Sequence, residues 1–394
     1  MERVAPWLKA VNTVLTPAIA GRRKKIERII ERAVREAEHR TGSTAHGDDA
    51  FIEDMRVLLT GYADIDGLTV TGWVGVQQEV ADRLESRLRI RKLHALNPEI
   101  ADEPISRPLI VTGLPRTGTT MLQRLLAAAD GHRGPLLHEL MHPDLADAHS
   151  GDHRRTERTV DVMRKAVPTF GTVYEMHADK PDSCVWVLPH GAAHLVRAQP
   201  PGYVQWMLER DYAGDYRYLK QTLQVLQHGR PRRRWVLRAP AHLWHLGAVL
   251  KAFPDAQILW THRDPATALA SLCSMTETVT AVNAGHVDPR EIGRMWLGLT
   301  ATGLDRARAV RARLSEHTVI DVPYGHLTDQ ARERIPELFA RVGARWGQVE
   351  QAALEAALAN RSGGRGYDLA RYGLSGGEVD QVFADYQRTY AAMF

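Results

Sequence analysis

The chain has 394 residues, 44% apolar and 25% charged, with a formal charge of +4. These values are ordinary for a globular protein, and no run approaches the roughly eighteen apolar residues of a membrane-spanning helix. The mild basic excess suits an enzyme of polyanionic small molecules; nucleic-acid binding would need basic tracts interleaved with aromatics, which only "GRRKK" (21–25) and "RPRRRW" (230–235) approach.

Residues 1–105 read as an N-terminal helical extension. "IERIIERAVREAEHR" (26–40) and "WVGVQQEVADRLESRLRIRKLHAL" (73–96) place apolar residues at three- and four-residue steps between charges. The apolar run at 11–20 could instead lie on a membrane surface, although Pro17 and its modest length favour packing. The first twenty-five residues lack the charge order and cleavage site of a secretory leader. Cys184 and Cys273 stand at no metal-ligand spacing and fit buried thiols of a reducing cytoplasm.

From residue 106 to 394 the pattern becomes α/β. "PLIVTG", "RRWVLRA" (233–239), "AQILWTHR" (256–263) and "HTVIDV" (317–322) read as strands, each followed by a helical segment. The alternation predicts a P-loop-like parallel sheet flanked by helices. About a hundred residues separate the first two strands, too many for one crossover, so 140–230 is expected to be a helical insertion covering an acceptor. Residues 325–394 are expected to hold C-terminal helices and a basic loop.

The stretch "RPLIVTGLPRTGTTML" (107–122) is a strand, a glycine-rich turn and a helix. Gly113 and Gly118 keep the glycine spacing of the ATP-type loop G-x-x-x-x-G-K-[ST], but Thr119 stands at the lysine position and the basic residue is Arg116, inside the loop. Free N–H groups and the helix dipole make an anion site, to which the hydroxyls of Thr117, Thr119 and Thr120 add donors. The strand "AQILWTHR" ends in His262 and Arg263 rather than a magnesium-binding acid. Both departures predict a 5′-phosphate balanced by Arg116 without a metal. In "THRDPATALAS" (261–271), Asp264 caps a helix that opens with Pro265, and Arg263 and Ser271 converge as a second anion pocket. Two such pockets suggest a nucleotide phosphorylated at two positions.

These motifs resemble the sulfotransferases that use 3′-phosphoadenosine-5′-phosphosulfate (PAPS), in particular a bacterial branch similar to the tyrosylprotein enzymes. "PRTGTT" (115–120) is similar to that family's 5′-loop, with Pro115 and Arg116 at its first positions, and Arg263 with Ser271 reproduces its 3′-phosphate pair. "VLRAPAHLWHL" (236–246) resembles the bacterial "LKSPxHLxxL" segment, with Arg238 in place of lysine. "DVPYGHLTDQ" (321–330) resembles the segment whose tyrosine, here Tyr324, borders the adenosine, and "SGGRGYDLARYGL" (362–374), containing Arg365, resembles the C-terminal basic loop. Met121 stands where cytosolic members carry the tryptophan that stacks on adenine.

The resemblance implies metal-free, in-line transfer of a sulfuryl group from PAPS to a hydroxyl of a small-molecule, glycosidic or lipid-like acceptor, with Arg116 stabilising the charge on the leaving oxygen and Arg238, Thr119 and Thr120 assisting. Glu139, in "PLLHELMHP", falls where the tyrosylprotein branch has its base; His242 and His138 are alternatives. His190 and His194, at i,i+4 in "PHGAAH", read as lining the acceptor pocket or simply packed rather than as a metal pair. An ATP-dependent kinase with an aberrant loop, or a nucleotide-binding protein without catalysis, are the competing readings. The expected setting is a bacterial cytoplasm, and the N-terminal helices could pair two subunits.

Overall fold

The computed structural model describes residues 4–145, 149–168, 171, 174–359 and 368–394. Among them, five parallel strands form one sheet: β1 (Leu109–Gly113), β2 (His132–Arg133), β3 (Arg234–Arg238), β4 (Gln257–His262) and β5 (Val319–Pro323), in the order β2-β3-β1-β4-β5. β1 is buried throughout, as expected where helices cover both faces of a parallel sheet and the strands read as unbroken apolar runs. Side-chain alternation divides it between two cores. Leu109, Val111, Val236 and Leu259 face the helices Thr119–Ala128 and Ala331–Val342. Ile110, Leu237, Ile258 and Trp260 face the larger core.

That larger core runs from Ile19 to Tyr390. The N-terminal helices are therefore packed into the α/β body rather than standing apart from it. Ile26, Ile29, Ile30, Ala33 and Ala37 form the buried stripe of Ile26–Thr41, which lies on the long helix Val70–Leu96. Between them sits the helix Asp49–Ala63, which the sequence patterns above do not single out. The expected insertion contains the helices His149–Ala166, Tyr203–Glu209 and Ala213–Gln227. Both cysteines are free and buried. Among the described residues, no helix is long and apolar enough to cross a membrane.

The chain leaves β1 toward β3 and β2, but leaves β4 toward β5. Connections thus diverge between β1 and β4, and a crevice opens at the carboxyl ends of these strands. Gly113 ends β1 with φ 154°, and a Cβ there would lie 2.3 Å from Thr261 Oγ1 and 2.5 Å from Thr261 O on β4. No side chain can be accommodated without prising the two strands apart. Gly113→Ala is expected to destabilise the protein by about 1–3 kcal/mol, read by denaturant unfolding.

Candidate active site

At the crevice, residues 114–118 turn sharply before the helix Thr119–Ala128. Gly118 has φ 87°, and a Cβ on it would meet Leu327 Cδ1 at 2.7 Å. Arg116 also has positive φ, 72°, a strained value for a residue with a side chain. Thr117 braces the turn: its buried hydroxyl donates to Leu114 O at 2.7 Å and pairs with Thr261 Oγ1 at 2.5 Å. The Thr117 hydroxyl is thus engaged inside the protein, whereas Pro115, Arg116, Gly118, Thr119 and Thr120 line an open cavity.

Arg116, Arg238 and Arg263 all line this cavity. Arg116 Nε donates to Ser271 Oγ at 3.2 Å, and Arg263 Nη1 donates to Arg116 O at 2.8 Å. Arg263 also stacks over the Tyr324 ring, 4.2 Å from its centroid. The helix carrying Ser271 starts as its sequence dictates, with Pro265 first and Asp264 accepting from the Thr267 N–H. Arg238, at the end of β3, is nearly fully buried and donates to Gln123 Oε1, Tyr174 Oη and Asp182 Oδ1, each at 3.0 Å. Arg116, Arg238, Arg263 and Tyr324 therefore face one space, with Ser271 bonded to Arg116.

That space has a volume of about 910 Å³ and continues away from the arginines between apolar walls. Val162 and Met163 contribute from His149–Ala166, and Leu272, Met275 and Val279 from Pro265–Asn283. Polar groups interrupt these walls, among them Glu79, Arg83, Arg155, Arg158, His190, His194 and Arg197. Burial pushes the Glu79 carboxyl up, but Arg197 and Arg83 outweigh it and hold the group well below the carboxylate range. His194 has Nε2 engaged with Pro189 O at 3.0 Å, and burial lowers its imidazole to about 4. His190 is only 4% exposed, and neither ring nitrogen has a hydrogen-bond partner. Burial, reinforced by Arg210, holds it well below 6.5, so at neutral pH this cavity-lining imidazole is uncharged, with both ring nitrogens buried.

Residues 108–348 match the family described as "Sulfotransferase family". The chain belongs to that family. The chain is 29% identical over 178 residues to omega-hydroxy-beta-dihydromenaquinone-9 sulfotransferase Stf3 of Mycobacterium bovis and of Mycobacterium tuberculosis; each match takes in 42% of this chain and 43% of the relative. The aligned part is thus less than half the length of these curated relatives. Two solved structures agree over nearly the whole fold. Sulfotransferase STF1 from Mycobacterium tuberculosis H37Rv superposes with a TM-score of 0.79 at 27% identity, covering 90% of this chain and 98% of that one. Sulfotransferase STF9 from Mycobacterium avium gives 0.80 at 25% identity, covering 91% and 96%.

The remaining expected site residues lie elsewhere in this sulfotransferase. Glu139 is not among the cavity-lining residues. Its carboxylate is closed in by Arg133, which donates to both oxygens at 2.7 Å, by Arg230, and by the Leu136 N–H at 2.9 Å. Burial pushes this carboxyl up, but the Arg133 charge and these hydrogen bonds hold it below the usual range and occupy both oxygens. The geometry gives Glu139 the task of tying 133–139 to the turn before β3. Glu139→Ala would leave two arginines facing an apolar residue and is expected to lower stability by about 3–5 kcal/mol. The native contribution is present above the ordinary glutamate value and is lost as pH falls through the lowered one, so acid unfolding of wild type and variant should converge below about pH 4.3.

His242 is fully buried behind the cavity wall, bonded through Nδ1 to Tyr216 Oη at 2.8 Å, and burial with Arg238 lowers it to about 3. His138 faces Ala178 O and also lies outside the cavity lining. Met121 lines the cavity beside Thr120. Arg365 lies outside the described residues. Sequence spacing alone could place His190 beside the acceptor; its unpaired state depends on packing against Trp206, whose ring meets it edge-on at 4.9 Å.

Proposed function

We propose that this sulfotransferase takes its sulfuryl group from PAPS and delivers it to a hydroxyl at the end of an extended, largely apolar acceptor. The observation that carries the reading is the continuity of one cavity, which Arg116, Arg238 and Arg263 line together with many apolar side chains. Arg263, Ser271 and Tyr324 suit the 3′-phosphate and adenosine, while the 114–120 turn and Arg116 suit the 5′-phosphosulfate. The fit rests on the turn itself, where Pro115, Arg116, Gly118, Thr119 and Thr120 line the cavity at the start of the helix Thr119–Ala128. The acceptor class is supported by the apolar walls and by the lipid-like alcohol in the printed name of Stf3.

In the transfer, the acceptor oxygen forms a bond to sulfur while the bond from sulfur to the 5′-phosphate oxygen breaks, its electron pair staying on the phosphate. Arg116 stabilises that developing charge. His190 takes the hydroxyl proton: among the described cavity-lining groups it is an uncharged base with both nitrogens unbonded. Gly191, next in sequence, lies against Ala241, which follows Arg238 by three residues.

The test is thermal stabilisation by adenosine 3′,5′-bisphosphate against ATP with magnesium, followed by sulfuryl transfer from PAPS to alcohols of increasing chain length. Stabilisation by the bisphosphate without metal is expected; a ligand at a hundred times its Kd adds about 2.7 kcal/mol. Transfer efficiency should rise with apolar length. Stabilisation by ATP and magnesium alone would replace this reading with the kinase, and a preference for short polar alcohols would overturn the acceptor class.

A further inference from the structure

Outside the cavity lining, two histidines and a carboxylate converge from three separate segments. His138 comes from the short helix Leu137–Met141, His153 from His149–Ala166, and Asp179 from the turn that follows Met176 and His177. Their ligand-capable atoms all lie within 4.8 Å of one another. His153 Nε2 is 2.6 Å from Asp179 Oδ1, and the two imidazole rings meet edge-on with centroids 5.3 Å apart.

The second nitrogens decide what the cluster is suited to. His138 Nδ1 lies 2.9 Å from the Ala178 carbonyl, which fixes the N–H there and makes Nε2 the lone-pair atom. His153 Nδ1 lies 3.7 Å from a Glu157 carboxylate oxygen, one helical turn on. The backbone carbonyl behind His138 is the support that metal-binding histidines use to fix tautomer, while Glu157 stands only at ion-pair distance from His153. Lys180, beside Asp179, does not compete for the carboxylate; its ammonium pairs with Glu175 at 3.2 Å.

We propose that His138, His153 and Asp179 bind a divalent transition-metal ion of the zinc class. Two imidazoles and one carboxylate are borderline ligands suited to such an ion, and an exposed Asp179 leaves a coordination position for water. Ligands of tetrahedral zinc stand about 3.3 Å apart, so side-chain adjustments of about 1 Å complete the site, with the ion replacing the proton shared by His153 and Asp179. The site differs from the His190/His194 pair, where His194 is committed to Pro189 O.

Its consequence reaches the cavity mechanically. His149–Ala166 supplies a cavity wall through Arg155, Arg158 and Val162, while Tyr174 and Asp182 on either side of Asp179 hold Arg238. An ion at the cluster pins that wall to the segment supporting the arginine. The role is structural and independent of the donor and acceptor proposed above.

The experiment is calorimetric titration of chelator-treated full-length protein with zinc, and with cobalt to read its visible absorption. One equivalent is expected to bind with a micromolar or tighter Kd and to raise the melting temperature. His138→Ala and Asp179→Asn should each weaken binding at least tenfold, and Glu157→Gln less, while exposed His39→Ala leaves it unchanged. Metal-free melting curves matching the wild type establish that the variants fold. No saturable binding to the wild type, or equal binding by the ligand variants, overturns the proposal.

Discussion

Replacing Arg116 with glycine is expected to lower kcat/KM by about 10²–10³-fold, the loss typical of removing one preorganised donor from a developing charge. The same substitution is expected to leave stability unchanged or slightly improved. Arg116 holds φ 72°, a conformation that costs a residue with a side chain about 1–2 kcal/mol and glycine almost nothing. Glycine's larger unfolded-state entropy offsets part of that relief. The divergence between stability and turnover is therefore diagnostic. A purely structural arginine would lose stability through its side-chain bond to Ser271, whereas the Arg263 bond, made to the carbonyl of residue 116, survives in glycine. Arg116→Lys should recover little, since a point charge on a flexible stem does not reproduce a planar fork held by Ser271. Steady-state kinetics and thermal unfolding on the same preparations check both halves. An Arg116→Gly protein that turns over within a factor of three of the wild type would remove Arg116 from the reaction.

The parts of this site that could be read in the sequence are those fixed by local backbone chemistry. The turn needs glycine where β1 meets Thr261 and where Leu327 closes on Gly118, so its spacing survives in one dimension. Asp264 and Pro265 write a helix start in adjacent letters, and Arg263 and Ser271 follow from it. Strands β1, β3, β4 and β5 are legible because burial on both faces demands unbroken apolar runs. β2 is not legible, because two residues, His132 and Arg133, carry no pattern. The helix Asp49–Ala63 has its stripe in Phe51, Met55, Leu58, Leu59 and Tyr62, but lacks the regular alternation with charge that marks its neighbours.

Glu139 shows where one-dimensional reading stops. Its distance from the loop suits a base, yet its environment is set by Arg230, ninety-one positions away, folding back beside Arg133. No local signal records that closure. The same holds for Arg238, whose charge is shared with Asp182 and Tyr174 across more than fifty residues. Burial and ion pairing are properties of the assembled core, and they decide which of several plausible carboxylates and imidazoles can still accept a proton.

The second large effect is expected at His190. His190→Leu should lower kcat by about 10²–10⁴-fold, the usual range for a positioned proton acceptor, with the bisphosphate affinity unchanged. It should also fold at least as well as the wild type. A buried polar group left without a partner costs about 1–3 kcal/mol, and His190 has both nitrogens in that condition. Leucine of similar volume removes the penalty. The pH behaviour follows from the same burial. His190 in the folded protein binds a proton only well below 6.5, while in the unfolded chain it does so near 6.5. Below that value the unfolded state holds more protons and the wild type loses stability; His190→Leu lacks this loss, so its stability advantage should widen as pH falls from about 6.5. Turnover by the wild type should stay level from pH 8 down past 6.5, because the imidazole remains proton-free there. A break near 6.5 would mean that another histidine, in a wetter setting, takes the proton. An unchanged kcat with a raised KM would make His190 a grip on the acceptor rather than its base.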